Sequence, residues 1–139
     1  MIVGIGIDLV DIARVQRLLS DRKDRAVRRL FTEAEVAYAT ARAEPARHFA
    51  SRIAAKEATF KALTRHPRAR AIGWREMEVI CGDTGAPRLE LSGLAASCAA
   101  ELGANRWWIS LTHSEGVAGA VVVVESTSVN GVHEGGDSR

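Results

Sequence analysis

The 139-residue chain suits one small soluble α/β-type domain, long enough to bury roughly two thirds of the surface its unfolded form exposes. The valine run at 121–124 falls far short of the ~20 apolar residues of a membrane helix, the opening Met1-Ile2-Val3-Gly4 has no basic leader region, and Cys81 and Cys98 have no metal-ligand spacing, so a cytoplasmic protein without a membrane partner is expected. The net charge of +2 hides a division: residues 1–75 hold 16 Arg or Lys against 8 Asp or Glu, and residues 76–139 hold 3 against 9, so the first half is expected to face something anionic.

In chain order, Val3, Ile5, Ile7 and Leu9 alternate with Gly4, Gly6 and Asp8, the period of a strand, which puts Asp8 on the face opposite the aliphatics. Asp11 suits an N-cap, and Ile12, Val15 and Leu18 or Leu19 follow at helical spacing while Arg14 and Arg17 point elsewhere. Thr32 and Glu35 have the spacing of a capping box, with Phe31 and Val36 placed as a hydrophobic staple. Pro45 can open a helix, and nothing from Ala46 to Leu63 stops it. Met77, Val79 and Cys81, then Leu89 and Leu91, read as a hairpin around Asp83–Pro87, and Ser92 suits the cap of a helix that Gly103 ends. Trp107–Thr112 and Val117–Val124 read as strands joined around Glu115-Gly116, and the polar, Gly-rich stretch from 125 to 139 reads as a disordered tail beyond a domain of residues 1–124.

Chemistry concentrates at a few charged positions. An acid in an aliphatic strand must be paired, hydrogen-bonded or metal-bound unless it lies at the exposed strand end, and Asp8 is open to both readings. On the long helix, Arg52 and Lys56, and Glu57 and Lys61, are four apart, so each pair shares a local surface; these are either charges of a helix surface, with Glu57 and Lys61 bridged, or, given the alanines around them, charged groups that another element approaches closely. Asp8 and Glu57 together make an ordinary magnesium pair, with water and phosphate completing the shell. His113 stands at a strand end in Ser110-Leu111-Thr112-His113-Ser114, as a structural or a ligand-binding histidine, and strand parity separates it from Ser114, which excludes a Ser-His dyad.

Three blocks in this order, Gly4–Val10, Phe49–Lys61 with its central Ala-Ala-Lys-Glu-Ala, and Ser110–Ser114, resemble the holo-acyl-carrier-protein synthase group of 4′-phosphopantetheinyl transferases, and the likeness spans about residues 2–124. Ile53, where such proteins commonly carry a larger aromatic, departs from the pattern. The resemblance implies an α+β fold, an antiparallel sheet packed with a long helix, and transfer of 4′-phosphopantetheine from coenzyme A to a serine of an acyl carrier protein. It further implies magnesium on Asp8 and Glu57, phosphate neutralisation by Lys61, coenzyme A contacts from Arg52, Lys56 and His113, and an acidic carrier protein docked on Arg14, Arg17 and Arg22. A homotrimer with sites between protomers is implied as well. Two other readings stand beside it: a nucleic-acid-binding module, disfavoured because Asp8 and Glu57 repel phosphate unless a cation intervenes, and a magnesium-dependent phosphohydrolase.

Overall fold

A computed structural model describes residues 1–21 and 24–127. Strand β1 (Ile2–Asp11) leads into α1 (Ile12–Ser20), α2 (Asp24–Leu30), α3 (Glu33–Thr40) and the long α4 (Pro45–Leu63). Two single 3-10 turns, Ala69–Ala71 and Trp74–Glu76, precede the hairpin β2 (Met77–Cys81) and β3 (Pro87–Leu91), then α5 (Gly93–Glu101), β4 (Arg106–Ser114) and β5 (Val117–Glu125). The fold is α+β: an antiparallel sheet of order β1-β5-β4 lies against α4, and the hairpin forms a separate two-stranded sheet. A 2.7 Å hydrogen bond from the Trp107 indole to the Leu89 carbonyl ties the hairpin to β4. Among the described residues no helix is long and apolar enough to cross a membrane.

The helix packs on the glycine face of β1. A Cβ built on Gly4 would lie 1.9 Å from the Ala62 carbonyl oxygen, and one on Gly6 would lie 1.7 Å from that of Ala58. Hydrogen at these two positions, facing alanines on the helix, lets strand and helix backbones meet directly. Buried Val122 and Val124 of the central strand and Ala54, Ala58 and Ala62 of α4 join the main core, with Met77, Val79 and Leu89 of the hairpin. Val3 joins it too, because a register irregularity between Ile2 and Gly4 takes it out of the alternation with Ile5, Ile7 and Leu9.

Several termini are made as the sequence predicts. The Asp11 carboxylate accepts from the Ala13 amide, and Thr32 and Glu35 exchange side-chain and backbone hydrogen bonds in a complete capping box. The Ser92 hydroxyl, by contrast, makes no cap bond: the Glu76 carboxylate accepts from the Leu94 amide instead, and its carbonyl accepts from Ser92. Helix α2 escaped the sequence reading, being seven residues, four of them charged, with no buried side chain to set a period. The folded chain also runs past 124. Glu125 pairs with Ile2 and Arg106, Ser126 donates to the Met1 carbonyl, and Asn105 holds Thr127 through both backbone and hydroxyl. The rest of the expected tail, residues 128–139, and Arg22 lie outside the described residues. Cys81 and Cys98 are both free thiols.

Gly6→Ala is expected to lower unfolding free energy by at least about 2 kcal/mol, because the methyl meets helix backbone rather than a movable side chain. Gly82→Ala, with nothing within 4 Å of its added methyl, should stay within about 0.5 kcal/mol of wild type in the same urea titration.

Candidate active site

The contact between β1 and α4 forms one wall of a cleft of about 800 Å³. Asp8 enters it from the inner face of β1, Glu57 and Lys61 from successive turns of α4, and Arg14 and Arg17 from α1; Ile53, Leu30 and Trp74 supply apolar walls. The Lys61 ammonium donates to the Ile7 carbonyl at 2.9 Å and to Asp8 Oδ1 at 3.2 Å. Burial raises the Glu57 carboxyl above its ordinary pKa, the negative charge of Asp8 raises it further, and Lys61 opposes both. The two acids therefore repel one another within one partly enclosed space, and one ammonium does not cancel them.

This donor set fits a hard divalent cation. Two carboxylates on separate elements give oxygen ligands and two negative charges, leaving other positions for water and for phosphate, which is how magnesium is commonly held. When bound there, such a cation supplies compensation for phosphate charge.

A second cavity, of about 290 Å³, lies between α4, the hairpin and β4, and there Arg52, Arg47 and His113 meet. His113 Nε2 is 3.4 Å from the Arg47 guanidinium. Arg52 is 1% exposed, donates to the His48 carbonyl, contacts the Cys81 sulfur at 3.7 Å and lies 4.3 Å from the centre of the Tyr38 ring; its Nε has no partner. Among the described residues no carboxylate pairs with it. Burial, and after it the charges of Arg47, Arg52 and Arg42, hold the His48 imidazole below its usual pKa. That is the environment of a site short of negative charge. Arg47 was not singled out in the sequence, since only the fold sets it beside a histidine 66 positions away.

The chain matches the 4′-phosphopantetheinyl transferase superfamily over residues 4–122. It belongs to that superfamily. Within it the chain is a member of the holo-acyl-carrier-protein synthase group: it is 45% identical over 130 residues to the holo-acyl-carrier-protein synthase of Anaeromyxobacter sp. (strain K), covering 91% of this chain and 98% of that one. The Geobacter sulfurreducens synthase is 41% identical over 125 residues, with 90% and 98% covered. Among solved structures, the Mycobacterium tuberculosis acyl carrier protein synthase superposes with a TM-score of 0.69 at 34% identity, covering 91% of this chain and all of the other. A Chronobacterium ammoniagenes synthase in complex with coenzyme A gives 0.76 at 27%, covering 89% and 97%. The chain is thus a phosphopantetheinyl transferase.

Lys56, one of the expected coenzyme A contacts, is fully buried, and its ammonium donates to Glu35 Oε1 at 2.8 Å and to the carbonyls of Trp74 and Met77 at 2.9 and 2.7 Å. Burial pushes the ammonium below its usual pKa and Glu35 opposes that shift. Glu35 also accepts from the amides of Thr32 and Val79, so the pair joins α3, α4 and β2. In sequence the Thr32–Glu35 spacing accounts for Glu35 as a local cap, which leaves no sign of the distant lysine.

Lys56→Met should therefore cost about 3–5 kcal/mol, since it strands the Glu35 charge inside the protein. Lys61→Met, whose side chain is 49% exposed, should cost no more than about 1 kcal/mol. Denaturant midpoints of the two variants at unchanged slope measure the difference.

Proposed function

We propose that the chain transfers 4′-phosphopantetheine from coenzyme A to a serine hydroxyl of an apo-acyl carrier protein, yielding the holo carrier and adenosine 3′,5′-bisphosphate, with magnesium as cofactor. The observation that carries this reading is the meeting of Asp8, Glu57 and Lys61 in one cleft bordered by Arg14 and Arg17. The names of the relatives and a neighbour's complex with coenzyme A support the substrate pair.

In that reaction the serine oxygen forms a bond to phosphorus as the bond to the bisphosphate oxygen breaks, and the hydroxyl proton must go to a base. Positioning and charge stabilisation do most of the work in phosphoryl transfer. Asp8 and Glu57 would hold magnesium, whose chemistry is to offset charge on the diphosphate. Lys61, on a flexible half-exposed stem, reaches phosphate oxygens. Glu57, in the same cleft as Asp8 and Lys61, is this chain's candidate acceptor for that proton. Exposed Arg14 and Arg17, without ion-pair partners among the described residues, offer an acidic carrier an attractive surface beside the reacting centre. Incubation with magnesium, coenzyme A and an apo carrier should add about 340 Da to the carrier by intact mass. Asp8→Ala and Glu57→Ala, folded as judged by circular dichroism, should lose most of this transfer. Near-normal turnover by both would overturn the assignment.

The assembly we propose is a homotrimer with shared sites. Ile5, Ile7 and Leu9 are 58%, 65% and 69% exposed on the sheet face away from α4, beside Val121 and Val123, and the half-exposed Trp108 pairs with Val123 from the other side. Such a patch fits a second copy better than water. Asp8 lies on β1 at one edge of the sheet and His113 on β4 at the other, in separate cavities. A head-to-tail contact that closes into a ring can join the two from neighbouring chains. Glu57→Ala and His113→Ala chains, each impaired alone, should regain activity when unfolded together and reassembled. Confirmed mixed assembly without recovery would reject the cross-protomer role of His113, and a monomeric active species would reject the trimer.

A further inference from the structure

We propose that Lys61 is a placeholder at the metal position: in the cation-free chain its ammonium neutralises Asp8, and it gives up this contact when an anionic substrate offers phosphate oxygens. The inference rests on the reading of Asp8 and Glu57 as the metal-holding pair. Three observations carry it. The ammonium sits 3.2 Å from Asp8 Oδ1 in the cleft that Glu57 also lines, against a carboxylate that a bound cation also needs. Its second partner, the Ile7 carbonyl at 2.9 Å, belongs to the residue preceding Asp8, and holds the ammonium there. Its side chain is 49% exposed while that of Asp8 is 20% exposed, so the lysine has open space into which to swing and the carboxylate has little.

The contrast with Lys56 sharpens the point. Lys56 has three oxygen partners and no exposure, and cannot exchange them without unfolding its surroundings. Lys61 has two partners, one of them a carboxylate that a divalent cation also needs. A positive charge this near a ligand oxygen repels an incoming cation, and at a partly exposed site that repulsion is on the order of a tenfold change in affinity. Among the described residues Lys61 is the one ion-pair partner of Asp8, so nothing else on the chain replaces it when it is removed. The free site should therefore bind metal weakly, with Lys61 moving from carboxylate to phosphate as coenzyme A enters. By linkage, metal and substrate then favour each other's binding.

The test measures manganese binding to the full chain by electron paramagnetic resonance, with no coenzyme A present. Lys61→Gln removes the charge and should bind Mn²⁺ about tenfold more tightly than wild type. Lys61→Arg keeps the charge and should bind it no more tightly than wild type. Asp8→Asn should weaken binding in both the wild-type and Lys61→Gln backgrounds. If binding depends on Asp8 but Lys61→Gln leaves the affinity unchanged or lowers it, the placeholder role is wrong and the metal assignment survives. If Asp8→Asn has no effect on Mn²⁺ affinity, the ion is not on this pair, and both the metal assignment and the placeholder fall.

Discussion

The direct contact of β1 backbone with α4 backbone is the constraint from which the site follows. Where a side chain would separate strand from helix, Gly4 and Gly6 place hydrogen against the carbonyls of Ala62 and Ala58. Asp8 is the next residue on the same strand face, beyond the glycines, and its side chain lines the cleft. Glu57 and Lys61 lie on α4 beside the alanines that receive the glycines. A larger residue at either glycine would thus move the acids apart as well as loosen the core. Stability and chemistry depend on the same close approach.

Two adjacent residues of α4 divide these tasks. One position apart on a helix turns a side chain by about 100°, so Lys56 is sent inward and Glu57 toward the cleft. Lys56 and Glu35 fix the helix to α3, to the Trp74 turn and to the start of β2, and Trp74 is itself a wall of the cleft. The buried pair therefore holds one wall of the cleft in place. In the second cavity the balance is reversed. Arg52 is buried without a carboxylate, its Nε unpartnered, and an arrangement of this kind is compensated when an anion binds.

How much of this is legible in sequence depends on the range of the interaction. The capping box, the Asp11 cap, the Gly85 and Gly116 turns and the uninterrupted run of α4 are written in residues within a few positions of each other, and they appear where expected. Asp8 and Glu57 were legible because a charge in an aliphatic strand and a charge among alanines both conflict with their surroundings. The pairing of Glu35 with Lys56 spans 21 residues, and each partner has an adequate local explanation, a cap for one and a place on a charged helix surface for the other. The same limit hides the Arg47–His113 contact and the capping of α5 by Glu76, where Ser92 has the right type but another carboxylate takes the amide. The same range effect applies after β5, where Ser126 and Thr127 look like tail, yet Met1 and Asn105 hold them.

A single chain also leaves its sheet half covered. One face of β5 rests on α4, while the other, with Ile5, Ile7 and Leu9 of β1 and Trp108 of β4 around it, has no layer above it among the described residues. Burial among the described residues accounts for one apolar face of Val117–Val124 alone. In the proposed homotrimer, covering the second face is a hydrophobic requirement and uniting the two cavities an electrostatic one. A cyclic contact meets both, because β1 with its acid and β4 with its histidine stand at opposite edges of the same uncovered sheet. In the proposed ring, the strand order that leaves the apolar face bare would also send Asp8 and His113 to different neighbours.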